Sequence, residues 1–128
     1  MRILPLAALL TLLVSGAANA FHNAQTVDQA LAGRSAGKPV NCIQQQRIDS
    51  SQIFDSGAIL YRMKGGPDYL NRPHCASLKQ DRSIASRTPS TSLCSGDILR
   101  VFEPVSGLDY GSCPLNEFVP YERVKKAQ

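Results

Sequence analysis

The chain has 128 residues, a formal charge of +4, 43% hydrophobic and 19% charged residues, four cysteines and no tryptophan. That length suits one domain and excludes a large multidomain enzyme, while the ordinary apolar content excludes a collagen-like repeat and a highly charged disordered tail. The positive charge is dispersed along the chain, with only Lys125 and Lys126 adjacent, so it reads as a solubilising surface and not as a nucleic-acid footprint.

In chain order, residues 1–20 read as a cleaved secretory signal peptide. Met1-Arg2 is a basic start, Ile3 to Val14 is apolar apart from Pro5 and Thr11, and Ala18-Asn19-Ala20 fits a small-x-small cleavage site. The run falls short of the roughly 20 apolar residues that span a bilayer, so no transmembrane segment is expected after cleavage. The expected mature chain starts at Phe21, holds 108 residues and carries +3.

Residues 21–39 form a polar, glycine-interrupted N-terminal arm. Within it, Thr26 can cap about two helical turns ending before Gly33. A helix so short is marginal in water, so the arm is expected to order only by docking. Residues 40–124 read as a single β-rich domain and residues 125–128 as a tail. Ile48, Ile53 and Phe54 precede an Asp55-Ser56-Gly57 turn; Ile59, Tyr61 and Met63 then alternate with Ala58, Leu60 and Arg62, the period of a strand with one buried face. Gly65-Gly66-Pro67-Asp68 turns the chain, and Tyr69 to Arg72 returns it, giving a hairpin from about Ala58 to Arg72 that Pro73 ends.

His74 to Ser95 is a polar, serine-rich connection with at most one short strand. Ile98 to Phe102 restores a strand pattern, and Phe118-Val119-Pro120-Tyr121 supplies a last one, in which Pro120 suggests a sheet edge. Ser56-Gly57-Ala58-Ile59-Leu60 is echoed by Ser95-Gly96-Asp97-Ile98-Leu99, 39 positions on; two strands entered through the same turn explain this as well as a duplication. The predicted fold is all-β: a small disulfide-linked barrel or sandwich of about five to six short strands, with a short N-terminal helix or flexible arm. Only a real helix packed on the sheet would make it α+β.

Export gives Cys42, Cys75, Cys94 and Cys113 an oxidising compartment in which disulfides persist. A nested pairing, Cys75 with Cys94 and Cys42 with Cys113, is favoured because the turn-rich segment between the inner pair can fold back. Spacings of 33, 19 and 19 contain no close pair of the kind structural zinc sites use, so no metal and no cofactor are expected. No P-loop, dinucleotide-binding glycine pattern or G-x-S-x-G turn is present, and no catalytic residue is assigned.

The segments Arg47-Ile48-Asp49-Ser50, Ala58 to Gly66, Tyr69 to Pro73 with Cys75, Cys94 to Ile98 and Gly111 to Leu115 resemble an uncharacterised family of small exported proteobacterial proteins. The resemblance covers about Cys42 to Tyr121 and implies export and a domain of unknown function; it transfers no catalytic residue.

Two functional readings follow. The first is a non-enzymatic periplasmic or secreted domain that binds an envelope polymer or a protein partner. Its candidate ligand cluster is Tyr69, Asn71 and Arg72 with Arg62 across the hairpin, where an aromatic platform and an amide share one sheet face. The competing account of the same residues is structural. The second reading is a small hydrolase using His74 with a nearby carboxylate such as Asp81, and it requires His74 in a cleft within hydrogen-bond reach of an acid.

Overall fold

The computed structural model describes residues 25–88 and 90–124; the expected signal peptide and the 125–128 tail lie outside them. In chain order they form α1 (Val27–Ala30), β1 (Arg34–Ala36), β2 (Cys42–Gln44), a 3-10 turn (Gln45–Arg47), β3 (Ile48–Ile53), β4 (Ile59–Met63), β5 (Asp68–Asn71), β6 (Ser83–Arg87), β7 (Ser92–Cys94), β8 (Ile98–Phe102), β9 (Asp109–Pro114) and β10 (Phe118–Arg123). The fold is all-β, and its strands make three antiparallel sheets: β1-β10-β5-β4-β3, β6-β8-β9 and the pair β2-β7. It is not a closed barrel. Ten strands replace the expected five or six, in part because β1, β2 and β7 have three residues each, too few to display a period of two.

Alternation across β4 sends Ile59 and Tyr61 to one face of the large sheet and Leu60 to the other. On the first face they meet Ile43, Leu93, Leu99, Val101, Leu115 and Phe118, which the two smaller sheets, β10 and its preceding loop supply. On the second, Leu60, Leu70, Phe54 and Ala58 meet Val27 and Leu31 of the N-terminal arm. The alternation predicts one buried face; the structure buries both, because the arm docks. The helix that does this is one turn long, and a capping box holds its start: Thr26 Oγ1 accepts from the Gln29 N–H at 3.3 Å and Gln29 Oε1 accepts from the Thr26 N–H at 3.0 Å.

The echoed Ser-Gly motifs are matching turns. Gly57 (φ 87°) and Gly96 (φ 89°) both sit in the left-handed region that favours glycine, just before β4 and β8. The pairings beyond them differ, since β3 pairs with β4 whereas β7 pairs with β2. Shared turn geometry therefore accounts for the echo.

Pro120 does not mark an edge, because β10 lies between β1 and β5. The Phe118 N–H and C=O both bond Val40, and Pro120 C=O accepts from the Gly37 N–H at 2.7 Å, so alternate residues of β10 turn their groups toward β1. The missing N–H of Pro120 falls where that neighbour breaks, between Gly37 and Val40. Gly37 suits this close approach, since a Cβ there would stand 3.0 Å from the Pro120 ring and the ring would have to give by a few tenths of an ångström.

The disulfides also correct the nested expectation. Cys42 pairs with Cys94 and Cys75 with Cys113, so the two loops interleave. Cys42 and Cys94 are directly opposed in the β2-β7 pair, and Cys113 on β9 is carried over the loop that follows β5. The segment 76–91 does not fold back on itself: β6 within it pairs with β8, which takes Cys94 away from Cys75.

Candidate functional site

The hairpin residues singled out by sequence do not converge. Asn71 is fully buried and bonds the backbone of Asn116, donating from Nδ2 to its C=O at 2.7 Å and accepting its N–H on Oδ1 at 3.0 Å. It staples β5 to the loop before β10, and its complete burial closes it to a ligand. Arg62 lies on the opposite face, donates to Gln52 Oε1 at 2.9 Å and stands 3.9 Å from the Asp68 carboxylate. Arg72 is exposed just past β5 and has no hydrogen-bond partner among the described residues.

Asp68 was not singled out by sequence, yet it organises that opposite face. Its Oδ2 accepts from Arg34 Nη1 at 2.6 Å and its Oδ1 from the Met63 N–H at 3.0 Å. With Gln52 Nε2 donating to Gln25 Oε1 at 2.9 Å, these contacts tie the arm to the sheet. A Gly-Gly-Pro-Asp turn was the only signal, and it says nothing of an arginine 34 residues upstream.

Tyr69 remains as a ligand candidate. Its ring is half-buried and packs on the core, and it lines a cleft of about 210 Å³ with Ile43, Met63, Gly66, Pro67 and Arg47; the exposed Cys42 of one disulfide forms part of the wall. Arg47 is positioned by two bonds from Nη2 to the carbonyls of Lys64 (3.2 Å) and Gly65 (3.4 Å). Its Nη1 and Nε, like the Tyr69 hydroxyl, bond nothing among the described residues. The cleft thus combines apolar side chains, a fixed cation and a phenol, an arrangement that suits a group with an apolar part and a hydrogen-bond acceptor. Nothing in the sequence marks Arg47 as a site residue, since its nearness to Tyr69 depends on the β2-β3 corner folding over the hairpin turn.

No family model, no curated protein and no solved structure matches the chain. His74 is exposed in the loop after β5, and among the described residues no hydrogen bond or ion pair joins it to Asp81 or any other acid. The His74–acid contact that the hydrolase reading requires is not present among the described residues. Among the described residues no group of three His, Cys, Asp or Glu side chains is placed to hold a metal, and no helix is long and apolar enough to cross a membrane.

The strongest carboxylate perturbations lie elsewhere, in the turn joining β8 to β9. Glu103 is held below the usual carboxylate range by the Ser106 hydroxyl, then by the N–H groups of Ser106 and Val105. Asp109 is lowered first by the Gly111 N–H; desolvation opposes this, and the charge and hydrogen bond of Arg100 add to the lowering. Both carboxylates are spent on shaping the turn.

Proposed function

We propose that this chain is an exported, disulfide-stapled domain that binds an envelope component or protein partner through the Tyr69 cleft, without catalysis. Two disulfides suit an oxidising compartment outside the cytoplasm, and the basic-apolar start of the sequence supplies the route. Membership of the small exported proteobacterial family it resembles is part of the same proposal.

The observation that carries the reading is the cleft itself, where the Nη1 and Nε of a guanidinium held by Nη2, and a phenol, are left without partners among the described residues beside apolar side chains. Titrating isotope-labelled protein with peptidoglycan fragments, and separately with lipopolysaccharide, tests it by NMR. One of the two is expected to shift the amide signals of Met63, Gly65, Gly66 and Tyr69, and Tyr69→Ala should weaken that binding about tenfold through loss of ring contact. Silence with both polymers, or binding indifferent to Tyr69→Ala, would remove the envelope-component reading.

A further inference from the structure

Among the described residues the large sheet ends at β3, whose one strand partner is β4, and the three-stranded sheet ends at β6, whose one strand partner is β8. These two edges face each other across a groove of about 410 Å³, with Ser51, Gln52 and Ile53 on one wall and Arg82, Ser83 and Ile84 on the other.

The hydrogen-bonding phase of the β3 edge follows from its turn. Phe54 N–H donates to Ala58 C=O at 2.9 Å, so Phe54, Gln52 and Ser50 direct their main-chain groups to β4, while Ser51 and Ile53 direct theirs away from it. Among the described residues nothing bonds the N–H or C=O of Ser51 or Ile53. Natural sheets blunt such edges with Pro, Lys or a covering segment. Ser50 to Ile53 has neither residue, and the bulge between Ile48 and Ser50 limits the open stretch without closing it.

We propose that the groove accepts an extended segment of a partner polypeptide, which adds to β3 as a further strand and lies against β6. An extended backbone is the occupant because its own donors and acceptors, repeating every two residues, match the row at Ser51 and Ile53. The walls specify its character. Ser51, Gln52 and Ser83 are polar, and Arg82 is fixed by a bond to Ser77 C=O (2.6 Å) and by stacking 3.6 Å from the Tyr110 ring centroid. A polar segment carrying an acidic residue fits this lining, with one apolar side chain between Ile53 and Ile84. The inference rests on the reading of the chain as a binding domain, but not on the Tyr69 cleft.

Panning a phage-displayed library of random dodecapeptides on the intact folded protein supplies the probe. Enriched peptides should shift the amide signals of Ser51 and Ile53 and keep their affinity for Tyr69→Ala. N-methylating the peptide at alternate residues should weaken binding about tenfold in one phase and leave it unchanged in the other, as loss of single strand hydrogen bonds requires. Ser51→Pro, which deletes the outward N–H, should cost a similar factor; if that variant does not fold, the N-methyl series still decides. Failure to enrich any peptide, binding without phase dependence, or shifts confined to Met63, Gly65 and Tyr69 would overturn the proposal. The last of these outcomes would leave the Tyr69 cleft standing as a binding site.

Discussion

The Tyr61 hydroxyl is buried without a hydrogen-bond partner among the described residues, although its ring packs well, 5.8 Å from Phe118 and tilted by 60°. Removing an unpaired buried hydroxyl relieves a desolvation cost of about 1 kcal/mol or more. Burial also raises the ionisation of Tyr61 far above its ordinary range. An unfolded Tyr61 starts to lose its proton near pH 10, while the folded one keeps it. The native state then binds more protons than the unfolded state, so stability is full below about pH 10 and falls as pH rises beyond it, by up to about 1.4 kcal/mol per unit from this group. Tyr61→Phe is therefore expected to stabilise the protein by about 1 kcal/mol at neutral pH and to flatten the alkaline decline. Urea midpoints between pH 7 and 11 measure both effects, and a destabilised variant with an unchanged alkaline slope would contradict this account.

At the scale of elements, α1 gains its stability from what it covers. Four helical residues cannot persist alone, yet Val27 and Leu31 are 9% and 8% exposed against Leu60, Leu70 and Phe54. Truncating Leu31→Ala should cost about 2 kcal/mol, read as a lower urea midpoint; a cost near zero would mean that the arm does not shield the sheet. The strands legible in sequence were those with local signals. The hairpin of β4 and β5 showed alternation and a Gly-Gly-Pro-Asp turn, and β8 began and ended where its apolar run did. Those that escaped notice depend on distant partners: β1 exists because β10 receives it, and β9 follows a glycine-rich loop whose strand character comes from β8. The candidate site was legible in the same proportion. Tyr69 lines a cleft that its place on a sheet face does not announce, and Asn71 and Arg62 are drawn into contacts with Asn116 and Gln52 that no local spacing announces.

For the molecule as a whole, connectivity makes the disulfides more than two independent staples. Bridges spanning 52 and 38 residues each remove about 4 kcal/mol of denatured-state entropy on the chain-entropy model. Because the loops interleave, either bridge already shortens the path that the other closes, and their effects do not simply add. Access separates them: Cys42 is exposed and Cys94 half-buried, whereas Cys75 is half-buried and Cys113 only 6% exposed in the main core. Thiol-disulfide exchange begins by attack on a reachable sulfur, so limiting dithiothreitol should open Cys42–Cys94 first. That opening frees the β2-β7 pair and one wall of the Tyr69 cleft, while Cys75–Cys113 still joins β9 to the loop after β5. Alkylation of partly reduced protein followed by peptide mapping should label Cys42 and Cys94 ahead of the other two, and unreduced digests should yield the interleaved pairs. Early labelling of Cys75 and Cys113 would reverse the proposed order, and recovery of a Cys75–Cys94 peptide would restore the nested connectivity that the course of β6 disfavours.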